Sequence, residues 1–255
     1  MIIWFSGTGN SQWVAEQLAE ALNERMVSAA EALTGDAMAF SLAEGERLGF
    51  VFPTYSWGPA PVMLELVEKM QLQGVPSFCC MVTTCGDDIG LSADIMRKAL
   101  AKRGITMHSA HSVQMPNNYV NMKGFDVDTD EVRRAKLEAA PARVARVAAD
   151  IAGAVATVDV VTGGWAWAKS HIVRPWFVRH AMSDAKFRVE ADACTHCGAC
   201  VKHCPMHNIT LTAAGTPEWH GRCAMCLSCL HRCPARAIQY AKATQNKGRY
   251  YLGKV

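Results

Sequence analysis

The 255-residue chain has no apolar run approaching the 18 or so residues of a membrane span, so no integral membrane association is expected. Its first residues, Met1-Ile2-Ile3-Trp4-Phe5, carry no basic n-region and no small-residue cleavage site, so no signal peptide is expected. Neither sign of charge dominates, with 26 Lys+Arg against 23 Asp+Glu. The basic residues are scattered without an RNA- or DNA-binding signature, and no nucleic-acid partner is expected. The eleven cysteines lack a disulfide pattern, which suits a reducing, cytoplasmic location. Nothing resembles an output domain, which counts against a redox sensor.

Eight of the cysteines fall into two runs. Cys194, Cys197, Cys200 and Cys204 precede Pro205; Cys223, Cys226, Cys229 and Cys233 precede Pro234. Both read C-x2-C-x2-C-x3-C-P, the spacing in which three thiolates wrap one cubane iron–sulfur cluster and the fourth serves a second. The expected quartets are therefore Cys194, Cys197, Cys200 and Cys233, and Cys204, Cys223, Cys226 and Cys229. Every ligand is offset by 29 residues, as are Ile209 and Ile238, so the unit is an internal repeat. Zinc sites and a disulfide framework are the alternatives; zinc favours two pairs with a longer gap between them. His196, His203 and His231 are expected as exposed bystanders.

Residues 1–150 carry 13 Lys+Arg and 18 Asp+Glu, a net of −5, and residues 151–255 carry 13 and 5, a net of +8. Each oxidised four-thiolate cubane adds about −2, so much of the basic excess is counter-charge for two clusters.

Residues 1–5 read as a buried strand. Ser6-Gly7-Thr8-Gly9-Asn10-Ser11 follows, then a helix with Trp13, Val14, Leu18, Ala21 and Leu22 on its apolar side. A strand, a Gly-rich loop and a helix start form a phosphate cradle of backbone N–H groups. The loop has no lysine, which argues for a monophosphate rather than a Walker-type nucleotide site; a ligand-free Ser/Thr/Asn turn is the alternative. Further strands over 48–52 and 78–84 end in Pro53-Thr54-Tyr55-Ser56-Trp57-Gly58 and in Thr84-Cys85-Gly86-Asp87-Asp88. Helices over 60–72 and 91–103, a strand over 105–113 and a helix over 129–153 continue the alternation. That pattern implies a parallel sheet covered on both faces, with ligands beyond its carboxyl edge. The strand between the first helix and residue 48 has weak strand character.

The loop at Ser6–Ser11 resembles the flavodoxin FMN-phosphate loop, and the loops at 53–58 and 85–90 resemble the two that meet the flavin ring. The cysteine runs resemble a two-cluster bacterial ferredoxin. In this order the chain resembles the fused flavodoxin–ferredoxin electron-transfer family. The resemblance implies a flavodoxin-like doubly wound parallel sheet of order 2-1-3-4-5, followed by a small α+β two-cluster ferredoxin domain. It implies one FMN and two [4Fe–4S] clusters. It places Ser6, Gly7, Thr8, Gly9, Asn10 and Ser11 at the phosphate. Pro53, Thr54, Tyr55, Ser56, Trp57 and Gly58 would lie at the ring, with Tyr55 or Trp57 stacking on it or packing in the core instead. Thr84, Cys85, Gly86 and Asp87 would lie at the flavin edge. Cys79 and Cys80, adjacent in a strand, are expected to pack on opposite faces.

The units expected are 1–153 for the FMN domain, 154–184 for a linker or docking segment, and 185–255 for the ferredoxin domain and its tail. The aromatics of 163–180 are expected to pack the two domains together; docking on a partner or a membrane is the alternative. The expected function is electron transfer among two clusters and FMN, linking a redox-protein donor to an acceptor enzyme. No acid–base pair is needed. The alternative is an FMN-dependent reductase of a small molecule, with His108, His111 or Tyr119 as proton donor. A closed cavity lined by the loop at 115–128 would favour that enzyme; an open flavin edge would favour the carrier.

Overall fold

Leu48–Pro53 and Cys79–Cys85 are buried along almost their whole length, as parallel strands covered on both faces must be. The computed structural model describes residues 1–35 and 38–253; positions 36, 37, 254 and 255, which belong to the expected first and third units, lie outside the described residues.

The chain opens with β1 (Ile2–Trp4), α1 (Asn10–Leu22), β2 (Met26–Ser28), α2 (Ala29–Thr34) and β3 (Ala39–Ser41). It continues with β4 (Leu48–Pro53), α3 (Pro61–Lys69), β5 (Gln71–Gln73), β6 (Cys79–Cys85), α4 (Ser92–Ala101), β7 (Ser109–Gln114), α5 (Asp130–Ala152) and β8 (Val158–Asp159). The main sheet runs β2-β1-β4-β6-β7-β8, and every pairing in it is parallel. Counting only its own strands, this is the flavodoxin-like order 2-1-3-4-5 with a sixth strand at the edge. That strand, β8, comes from the segment expected as a linker. β3 and β5 pair with each other away from the main sheet, which the sequence pattern did not signal.

Alternation along the strands builds two cores. Phe50, Phe52, Cys79 and Met81 join Met63, Leu66 and Met96 on one face. Val51, Cys80 and Val82 join Val14, Leu18, Val144 and Val147 on the other. Burying one such Phe or Leu contributes roughly 1.5–3 kcal/mol. The adjacent Cys79 and Cys80 do face opposite cores, and burial pushes the Cys80 thiol up to about 12.

The C-terminal region is a small ferredoxin-like unit. Phe187–Val189 pairs antiparallel with Ile238–Tyr240, and Ile209–Leu211 pairs antiparallel with Pro217–Trp219 around Gly215. Short helices span Ala199–Lys202 and Ser228–His231, again 29 residues apart. The backbone repeats too: positive φ recurs at His196 and Met225, at Gly198 and Leu227, and at His207 and Arg236. Left-handed residues turn successive N–H groups toward one concavity, the arrangement that suits anionic iron–sulfur centres.

Candidate functional site

The loop after β1 delivers its residues to the carboxyl edge of the sheet, where the order reverses between β1 and β4. α1 starts there with no side-chain cap and no acid in its first turn, so its N-terminal N–H groups are left for an anion. Beside it lies a cavity of about 510 Å³, within the usual range for small-molecule sites. Ser6, Gly7, Thr8, Asn10, Ser11, Pro53, Thr54, Tyr55, Ser56, Trp57, Thr84, Cys85, Gly86 and Asp87 all line it. Gly9 and Gly58 do not. Gly9, at φ 102°, packs beneath Leu252, and Gly58 packs beneath Arg174.

The loop's polar side chains are engaged with the protein. Ser11 Oγ and Thr84 Oγ1 are 2.7 Å apart. Asn118 Nδ2 donates to Thr8 Oγ1. Asn10 Nδ2 donates to Pro116 O at 3.0 Å, and Asn10 Oδ1 accepts from Tyr250 Oη at 2.8 Å. Asn10 therefore shapes the cradle, with both ends of its amide occupied, while the Ser6 and Thr8 hydroxyls accept from Gly9 N and Asn118 Nδ2 and keep their own protons to donate. The tail docks here as well: Leu252 N donates to Thr8 O at 2.7 Å.

Three further segments complete the wall. Tyr119, Met122 and Phe125 come from the loop at 115–128. Lys169, Val173, Trp176 and Phe177 come from the helical run at 166–180. That run is pinned to the loop at 53–58. Ser170 Oγ donates to Trp57 O at 2.8 Å, and the buried Arg174 guanidinium donates to Tyr55 O and to Pro59 O. Lys169 pairs with Asp88 at 2.9 Å and sits over the Trp57 ring at 5.1 Å. Met225, Cys226 and Leu227 of the second cysteine run form the remaining wall. Burial holds the Tyr55 hydroxyl well above its usual range, and neighbouring Cys226 and Cys223 add to the shift.

The cysteines assemble across the runs. Cys194, Cys197, Cys200 and Cys233 surround one small cavity; Cys204, Cys223, Cys226 and Cys229 surround another. No three cysteine sulfurs lie within 4.8 Å of one another among the described residues. The first quartet opens outward through exposed Cys197; the second is packed among Phe187, Met206, Ile209 and Trp219. Burial pushes the Cys223 thiol up to about 12, a penalty that bound iron would offset. Asn208 N donates to Cys204 Sγ and Met225 N to Cys223 Sγ, each at 3.3 Å. The buried Trp219 Nε1 has no hydrogen-bond partner, and Trp219 lines the second small cavity together with Cys229. An orphaned donor beside a sulfur fits a thiolate-bound anionic cluster.

Several expectations need correction. His231 is buried, donating through Nε2 to Asn118 O at 2.7 Å and accepting at Nδ1 from Tyr250 N at 3.2 Å. It ties the second run to the cavity loop. His108 accepts from Cys79 N at 2.9 Å and stacks on Phe78, at the opposite end of β6 from the cavity. His111 is wholly buried mid-strand, close to Asp150 and to an Asp159 already paired with Arg143. Of the three proton-donor candidates, only Tyr119 lines the cavity. Phe177 packs inward and Trp176, though partly exposed, lines the cavity, whereas Trp165 and Trp167 are exposed and do not join the domains. The sequence offered the loop at 115–128 as a cavity wall, but carried no sign of the Asp88–Lys169 pair.

Comparison with known proteins gives the following. The 4Fe-4S dicluster domain family matches residues 186–234. A ferredoxin of Pyrobaculum islandicum is 36% identical over 73 residues, covering 26% of this chain and 67% of that protein. Among solved structures, a putative flavoprotein from Bacteroides uniformis superposes with a TM-score of 0.36 at 15% identity, over 45% of this chain and 88% of its own. The Trp repressor binding protein of Bacillus subtilis gives 0.35 at 10%, over 59% and 96%. At such scores the sheet order itself carries the fold assignment.

Proposed function

Through residues 186–234 the chain belongs to the 4Fe-4S dicluster ferredoxin family, and from that premise we propose a three-site electron-transfer flavoprotein. The sites are the first quartet, the second quartet and an FMN cavity. Clusters bound at the quartets exchange single electrons, and FMN bound in the cavity exchanges one or two. The residues do no acid–base chemistry in this reading; they hold the three centres in line. Cys197 opens the first site to a partner, and the apolar shell of the second excludes water. One observation carries the reading: Cys226 belongs to the second quartet and also forms part of the cavity wall. Backbone N–H groups at Gly7, Thr8, Asn10 and Ser11 would receive the FMN phosphate. Trp57, held by Lys169 and Ser170, and Tyr55, held by Arg174, would frame the ring.

The donor is then a redox protein docking at the first quartet. The test is anaerobic isolation with iron, sulfide and flavin analysis. Two four-iron clusters and one FMN per chain are expected; iron without flavin would remove the cavity's role.

One observation favours a reductase as the second reading. The loop at 115–128 does line the cavity, and Tyr119, Phe125, Trp176 and Phe177 give it an aromatic wall suited to a flat acceptor. Turnover of small apolar acceptors by the loaded protein would select it over the carrier.

A further inference from the structure

The helical run at 166–180 has an inner and an outer side. Ser170, Arg174 and Phe177 are buried, and the first two are fixed by hydrogen bonds to the loops at 53–59 and 91. The outer side carries Trp165, Trp167, Ile172, Val173 and Trp176, which are 86%, 65%, 59%, 43% and 55% exposed. A helix anchored this firmly does not expose three tryptophans through loose packing, and large exposed apolar patches mark interaction surfaces. Within the segment itself the charge has one sign: between Asp159 and Asp184 there is no acidic residue, and exposed Arg179 lies among the aromatics with His171 and His180, while Lys169 is paired with Asp88.

We propose that this face docks the protein on an anionic lipid bilayer. Aromatic side chains beside basic ones are the composition of segments that lie in the membrane interface, with Trp at headgroup level and cations against anionic lipid. The exposures describe protruding side chains rather than a groove, and a bilayer needs no groove to receive them. A second copy of this chain is disfavoured, because a two-fold contact would set the same basic rim against itself. Val173 and Trp176 also line the cavity, so the lipid-facing segment is cavity wall as well. The inference goes beyond electron transfer and does not depend on which centres are loaded.

The test is co-sedimentation of the holoprotein with phosphatidylcholine vesicles, with and without phosphatidylglycerol, together with tryptophan emission. Binding with a blue shift is expected only with phosphatidylglycerol, weakening as salt rises. The triple variant Trp165→Ser, Trp167→Ser, Ile172→Ser should bind at least roughly tenfold more weakly, with iron and flavin content unchanged. No binding to phosphatidylglycerol vesicles, equal binding to neutral vesicles, or undiminished binding of the triple variant would each overturn the proposal. So would a concentration-dependent dimer, or capture of an acidic protein, that the triple variant abolishes while vesicle binding is absent.

Discussion

Gly7 and Cys226 are in backbone contact: a Cβ built on Gly7 would lie 2.5 Å from Cys226 Cβ and would collide with the Cys226 carbonyl. One residue is in the anion loop after β1 and the other in the second cysteine run, so the absent side chain sets how closely the two sites approach. Gly7→Ala should therefore separate them, destabilising the protein by about 1–3 kcal/mol through overpacking. Thermal unfolding should show the loss, and flavin content should fall with it. A variant as stable and as flavin-rich as the parent would mean that the contact is incidental.

Cys204 lies in the first run but lines the second small cavity, and Cys233 does the reverse. Cys204→Ser should damage the buried centre and Cys233→Ser the outer one. EPR of the reduced variants distinguishes the two losses. The opposite assignment would return the chain to simple run-by-run ligation.

Trp219 Nε1 is buried without a partner beside the second quartet, and its indole stacks on Phe187 with centroids 5.4 Å apart. Trp219→Phe keeps the stack and removes the donor. Hydrogen bonds to cluster sulfur favour the reduced, more negative state, so the potential of the second centre should fall while that of the first holds. A redox titration followed by EPR reads both, and an unmoved potential would sink the assigned role.

Arg174 is buried and spans the Tyr55 and Pro59 carbonyls with a planar fork that lysine cannot reproduce. Arg174→Lys and Arg174→Leu should both cost about 1–3 kcal/mol for each carbonyl left unpaired. Flavin affinity should drop in parallel, because the loop carrying Tyr55 and Trp57 loses its brace. Rescue by lysine would show that charge alone matters there.

Much of this was legible in the sequence for physical reasons. Strand burial is written in continuous apolar runs such as Leu48–Phe52. The dicluster family was legible in the cysteine spacing, because three thiolates at C-x2-C-x2-C can wrap one cubane. β2 was obscure because three half-buried residues carry no periodicity, and β8 because two exposed residues carry less. The role of Asn10 was missed because its partners, Pro116 and Tyr250, are over a hundred residues away. His231 was misjudged because its partners, Asn118 and Tyr250, come from segments distant from the cysteine run. The exposure of Trp165 and Trp167 could not be read from residues whose apolar bulk equally suits a core.

The account turns on the second quartet lying between the first and the cavity. The direct measurement is the rate at which a reduced protein-sized ferredoxin, too large to enter the cavity, reduces the bound flavin under anaerobic rapid mixing. The flavin of the intact protein should be reduced after the clusters, and Cys233→Ser and Cys204→Ser should each slow it by orders of magnitude while flavin remains bound. Flavin reduction at an unchanged rate in either variant would contradict the line of three sites.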